Sequence, residues 1–289
     1  MKKIGVSMPL PPPPPDHTVD GAFFAREAER LGFESVWVAE HVTAPVHVTR
    51  SQSPFFVDGQ VPGFPDPLIV LARVSAATSS IKLGTSVLLA PEHHPVRLAK
   101  ATATLDLFSG GRLILGVGAG WLEEEAEIMG VDFPHRWTQA REAVLALKAL
   151  WTGEPAEFHG RYYDFPPVRC LPRPAQQPHP PVLLGGVAPN VLKRVVAFGD
   201  GWAPERISPE ELKDRLPQLW ELARKAGRDP DGLQISVHGK GPDPDVVASY
   251  LEAGAERVVV GCPIVTQERE ALEHLERIAG TVLPLAQRF

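Results

Sequence analysis

Gly110-Gly-Arg-Leu-Ile-Leu-Gly-Val-Gly-Ala-Gly-Trp121 leaves a glycine turn, becomes an apolar strand, and returns to glycines before the acidic run Glu123-Glu-Glu125. A strand apolar at nearly every position is covered on both faces, as in a parallel sheet flanked by helices. Seven more short apolar runs share this character, at residues 4–8, 35–39, 82–89, 181–184, 201–203, 233–237 and 257–261. Helical stripes lie between them. Phe24, Ala28 and Leu31 follow one helical face, as do Ala140, Val144, Leu147 and Trp151, and Leu212, Leu216, Leu219 and Ala223. Pro217 falls inside the last stripe and predicts a kink or a split there. Eight strands alternating with helices is the count of a closed α/β barrel, the (β/α)8 TIM barrel. An open doubly wound sheet would use fewer strands and is the second alternative. No composition shift or polar linker divides the chain, so residues 1–289 read as a single domain.

Two connections are long, and they predict insertions in the loops after strands 2 and 4. The first covers residues 42–67 and carries Phe55 and Phe56; the second covers residues 120–182. Within the second, Phe158-His-Gly-Arg-Tyr-Tyr-Asp-Phe165 reads as a β-hairpin. Loops at the C-terminal ends of barrel strands are where barrel proteins hold their substrates.

Composition excludes several classes. Twenty-nine basic against 35 acidic residues leave a net charge of −6, so no general basic surface exists to hold nucleic acid. The two cysteines, Cys170 and Cys262, are far apart, which excludes a disulfide framework and fits a reducing cytoplasm. No apolar run approaches the length of a membrane span, and Met1-Lys-Lys-Ile-Gly-Val6 does not lead into a secretory signal. The expectation is a cytoplasmic protein with a small-molecule substrate, engaging neither nucleic acid nor membrane. The one oddity is proline, 31 residues, with an unbroken run at residues 11–15 that must be extended. It reads as a stiff loop after the first strand.

Chemistry-bearing residues gather at strand ends. Trp37-Val-Ala-Glu-His41 closes the second strand, placing Glu40 and His41 at the barrel mouth. A histidine there can pass a proton, with Glu40 orienting it or serving a structural partner; equally, His41 can cap the strand by bonding a loop carbonyl. His93 and His94 could join them in a metal site, but the first strand ends in Met8-Pro-Leu-Pro and lacks the His-x-His of barrel metallohydrolases, so proton transfer is preferred and no metal is assigned. Gly116, Gly118 and Gly120 are spaced one residue short of a dinucleotide fingerprint and sit on the fourth strand, not the first. They either bring backbone amides to a ligand or merely permit close packing. Gly185 and Gly186, with Lys193 and Arg194 one turn on, could form a phosphate site at a helix N-terminus.

Read together, these segments resemble the bacterial-luciferase-like flavin and deazaflavin oxidoreductases over nearly the whole chain. The matching stretches are Ala28-Glu-Arg-Leu-Gly-Phe-Glu-Ser-Val-Trp-Val-Ala-Glu-His41, Ile81-Lys-Leu-Gly-Thr-Ser-Val87, residues 101–115, Gly116-Val-Gly-Ala-Gly-Trp121 with Glu125, Gly185-Gly186, and Phe198-Gly-Asp-Gly-Trp202. The chain is most similar to the subgroup that uses the deazaflavin coenzyme F420. The resemblance implies hydride transfer between F420 and a small organic substrate, with His41 as proton donor or acceptor. It places Gly118, Ala119 and Gly120 near the cofactor's side chain and Gly185 and Gly186 near its phosphate. Ser86 and Val87 would flank a non-proline cis peptide behind the cofactor ring, although Val87 by propensity would continue the strand. Trp121, Phe55 and Phe56 would shape the substrate pocket, and Arg97, Arg136, Lys193 and Arg194 would supply a positive rim. A homodimer is also implied. Two alternatives stand beside this reading: an FMN-dependent monooxygenase served by a reductase, and a barrel that binds a flavin or other small ligand without turnover. Some deazaflavin dehydrogenases place a catalytic Glu where this chain has Trp121, so that acid is not carried over.

Overall fold

A computed structural model describes residues 2–10, 19–50 and 63–289. Eight parallel strands follow one another around a closed ring: β1 (Lys3–Ser7), β2 (Ser35–Val38), β3 (Lys82–Thr85), β5 (Leu113–Gly118), β8 (Val182–Gly185), β9 (Gly201–Ala203), β10 (Gln234–Lys240) and β11 (Arg257–Val260), which pairs back onto β1. Closure is what an open sheet lacks, and it settles the architecture as a (β/α)8 barrel. The third barrel strand is interrupted. After β3 comes the Ser86–Val87 peptide, which is cis as expected, and then the two-residue β4 (Leu88–Leu89). Between the pairs Gly84–Ile114 and Leu88–Val117 the third strand uses one residue more than β5, which makes this a bulge.

The surrounding helices are α1 (Gly21–Leu31), α2 (Pro67–Ala77), α3 (Pro95–Phe108), α4 (Glu123–Ile128), α5 (Arg136–Thr152), α6 (Val191–Phe198), α7 (Pro209–Lys225), α8 (Pro244–Glu252) and α9 (Glu268–Val282). Some of the prolines mark helix starts. Asp66-Pro67, Ser208-Pro209 and Asp243-Pro244 each pair a side-chain cap with a proline in the first turn, where its missing N–H costs nothing. At α7 the cap is reciprocal, with Ser208 and Glu211 each bonding the other's backbone amide. Pro217 does not split α7. It lies on the exposed face, where water can take the carbonyl it leaves unpaired, while Leu212, Leu216 and Leu219 stay buried on the other face. The insertion after the fourth strand holds α4, α5 and the antiparallel hairpin of β6 (Ala156–His159) and β7 (Asp164–Val168), as the sequence predicts. Among the described residues, no helix is long and apolar enough to cross a membrane.

The barrel interior is filled rather than hollow. Trp37 is buried inside it, and its indole occupies the space where a side chain at Gly84 would begin. Below it Arg257, also fully buried, donates to both oxygens of Glu34 at 2.7 Å and to Ser236 Oγ at 2.8 Å. This pair closes the N-terminal end, so a ligand is left with the opposite mouth.

Candidate active site

That mouth holds a cleft of about 260 Å³. Its lining includes Ser86 and Val87 from the bulge, Gly185 at the end of β8 and Gly186 just after it, His238 on β10, and His41, Phe64 and Trp121. Val87 fixes this geometry from behind. A Cβ on Gly116 would sit on the Thr85 carbonyl oxygen, and one on Gly118 would meet the Val87 side chain at 2.5 Å. These two glycines let the bulge press against β5. Gly118, Ala119 and Gly120 do not line the cleft, whereas Trp121, Gly185 and Gly186 do. Phe55, Phe56 and the proline run at residues 11–15 lie outside the described residues.

His41 is held by Glu125, not by its neighbour Glu40. Its Nδ1 lies 2.6 Å from Glu125 Oε2, and the other Glu125 oxygen accepts the Thr43 amide at 3.0 Å. A carboxylate at Nδ1 assigns a proton to that nitrogen, which donates to Glu125. Phe64 and Trp121 set their rings edge-on to the imidazole, at 4.8 and 5.6 Å between centroids. Glu40 instead accepts the Leu89 amide at 2.6 Å and pairs with His93 Nε2 at 3.0 Å, tying the end of β2 to β4. Burial works against a charge on His93, but the hydrogen bond and charge of Glu40 outweigh it and hold the imidazole above its ordinary range. Between these two pairs lies Glu92, buried, with neither carboxyl oxygen bonded. Among the described residues, no group of three or more His, Cys, Asp or Glu could hold a metal ion.

On β10, His238 Nδ1 and Ser86 Oγ are 2.8 Å apart, and the His238 ring meets Trp37 edge-on at 4.6 Å. Burial, with a smaller push from Arg257, lowers His238 to about 3, so it stands uncharged and fixes Ser86 as a neutral partner.

Beyond the glycines lies a cationic rim. Arg194 on α6 stacks over Trp137, 4.4 Å from the ring centroid, and Trp137 in turn packs beside Gly186. Arg136 donates from Nε to the Gly120 carbonyl at 3.0 Å. Burial and the nearby Arg136 charge both push Arg194 down, and its Nη1 is buried without a hydrogen-bond partner. A buried guanidinium nitrogen with no acceptor, facing a like charge, is an arrangement that an anion would relieve. Arg97 and Lys193 are exposed, on α3 and α6.

The acidic run on α4 fastens the segment that follows β2. Glu124 Oε1 accepts the Thr49 and Arg50 amides, each at 2.8 Å, and the Arg50 guanidinium pairs with Glu127 at 2.6 Å and Glu123 at 3.1 Å. Nothing in the local sequence gives this run a role, because its partners lie more than seventy positions away. Glu92 likewise carries no local signal, lying between Pro91 and the pair His93-His94. Glu205, Arg206 and His238, which line the cleft, follow or end barrel strands, and that position was the available signal.

The family model described as luciferase-like monooxygenase matches residues 11–240. An uncharacterised protein of Mycobacterium tuberculosis is 38% identical over 275 residues, 92% of this chain and 94% of that one. An F420-dependent glucose-6-phosphate dehydrogenase of Kineococcus radiotolerans is 38% identical over 213 residues, 72% of this chain and 59% of its own length. The oxygenase component of a flavin-dependent trigonelline monooxygenase of Acinetobacter baylyi is 32% identical over 174 residues, 60% and 44% of the two chains. A coenzyme F420 dependent tetrahydromethanopterin reductase from Methanopyrus kandleri superposes with a TM-score of 0.75 at 22% identity, covering 98% of this chain and 99% of its own; it attests the fold alone. With the closed barrel, the family match and relatives of both the F420-dependent and the flavin-dependent kind, the chain belongs to the luciferase-like monooxygenase family of oxidoreductases.

Proposed function

We propose that the chain is an oxidoreductase that moves a hydride between F420 and a small organic substrate, with His41 as the proton donor or acceptor. One observation carries this reading: an acid–base group lines the mouth cleft, and beyond the cleft's glycines, behind Trp137, a buried guanidinium nitrogen of Arg194 has no hydrogen-bond partner. A ring cofactor with an anionic tail fits that spacing of chemistries. F420, when bound, supplies the two-electron transfer itself. The chain's residues do the rest. Val87 and its bulge offer a fixed apolar wall to the ring, while Gly185, Gly186 and the Arg136–Arg194 rim suit the phosphate. His41 exchanges the proton with the substrate, and Glu125, bonded at Nδ1, stabilises the imidazolium formed when it takes one. Trp121 and Phe64 pack edge-on against the imidazole and help fix its orientation. Similarity to the F420-dependent dehydrogenase over 72% of the chain supports the choice of cofactor. Similarity to a flavin-dependent oxygenase favours a second reading, in which FMN and a separate reductase drive a monooxygenation.

Titration of the purified protein with oxidised F420 and with FMN, at low and high salt, tests the assignment. F420 carries a phosphate and an acidic glutamyl tail, so its affinity is expected to fall more steeply with salt than that of FMN. Turnover of a substrate panel with F420 and none with reduced FMN and dioxygen is the expected outcome. Equal and salt-insensitive binding of both, or turnover with FMN alone, overturns the F420 reading.

A further inference from the structure

Three carboxyl groups meet beneath the cleft, and hydrogen bonding divides them unequally. Glu40 comes from the end of β2, Glu92 from the turn after β4, and Glu125 from α4. Glu40 accepts the Leu89 amide and holds His93; Glu125 accepts the Thr43 amide and holds His41. Glu92 accepts nothing. It is 8% exposed, both its oxygens are buried, and Oε1 lies under the glycine turn, 3.4 Å from where a Cβ on Gly120 would stand. The charged groups that face it are Glu125 and Glu40, with His41 and His93 beyond them.

Three buried negative charges in one cluster cost more than the surroundings can return. Donors stabilise a carboxylate, so the acid without donors is the one that keeps its proton. We propose that Glu92 is a positioning residue of the site: it stores a proton so that Glu125 remains the charged partner of His41, and on losing that proton its own charge draws one onto His41. Burial first, then the charges of Glu125 and Glu40, push the Glu92 carboxyl up to about 8. Glu92 therefore loses its proton just above neutrality. The inference rests on His41 being the proton-transfer group, but its test needs no turnover.

The test follows the His41 ring by nuclear magnetic resonance in isotope-labelled protein without cofactor, from about pH 5.5 to about pH 10. In the parent protein His41 is expected to show a second inflection near 8, toward stronger proton binding. Glu92→Gln and Glu92→Met should both lose that inflection, leaving His41 with a roughly 3- to 10-fold weaker hold on its proton at high pH. Thermal unfolding gives an independent reading. Glu92 binds its proton more tightly folded than unfolded, so parent stability should fall as pH rises from about 4.5 to about 8 and level off above. Both variants should lose this contribution to the slope. The methionine has no polar atom to strand, so it keeps the test open if the glutamine variant fails to fold. One shared His41 titration curve in parent and variants overturns the proposal. Absence of turnover with F420 and with FMN would sink the functional reading instead, and would leave the titration result standing.

Discussion

His41 illustrates how a residue's role is set by a partner that the local sequence does not reveal. Glu40 is adjacent in the chain and was the natural companion, yet the carboxylate that holds the imidazole is 84 positions away. Sequence placed His41 at the strand end correctly because strand ends are readable from apolar runs; pairing across the mouth depends on how α4 docks, which no local pattern encodes. His41→Ala should leave the fold intact and cofactor affinity nearly unchanged while lowering turnover by roughly 10²–10⁴. Full turnover with an early melt would mean that the histidine only caps its strand. Arg194→Met should weaken F420 binding by roughly 10- to 150-fold and flatten its salt dependence, since a charge-assisted phosphate contact is worth about 1.5–3 kcal/mol. Calorimetric titration at two ionic strengths reads both; unchanged affinity would place the phosphate elsewhere.

Gly116 and Gly118 make the same point for whole elements. As a G-x-G run they invited a ligand-binding reading, but in the barrel they make room for the bulge of the third strand. The signal for packing was indistinguishable from the signal for binding, since both need a missing side chain. Gly116→Ala should therefore destabilise the protein by about 1–3 kcal/mol, through overpacking against the Thr85 carbonyl. Gly232→Ala, which meets nothing within 4 Å, should change stability by less than about 0.5 kcal/mol. Urea unfolding compares them; equal effects would show that the bulge yields easily. The strands themselves were legible because burial on both faces leaves a continuous apolar run. Asp or Ser before proline was an available signal for the starts of α2, α7 and α8 that the helical stripes alone did not supply. Pro217 misled because its effect depends on which face meets water, and that is fixed only by packing.

On the scale of the molecule, ring closure follows from strand count and parallel pairing, both visible in the sequence, whereas association with a second copy rests on resemblance alone. We propose a homodimer through α2. This helix buries Leu71 and Val74 on one side and still exposes Ile69, Ala72 and Ala76 on the other. Light scattering should return twice the chain mass, and Ile69→Glu should shift it toward one; a monomeric parent protein would remove the proposal. The segment after β2 has a further consequence for anyone reshaping this barrel. Glu125 serves that segment through Thr43 and the imidazole through Nδ1, while its neighbours on α4 hold Thr49 and Arg50. A redesign that trims residues 42–50 to admit bulkier compounds would release the same carboxylate that holds the His41 imidazole at Nδ1. The length of that segment and the placement of the imidazole are therefore not separate dials in this scaffold, and a library that varies one must re-optimise the other.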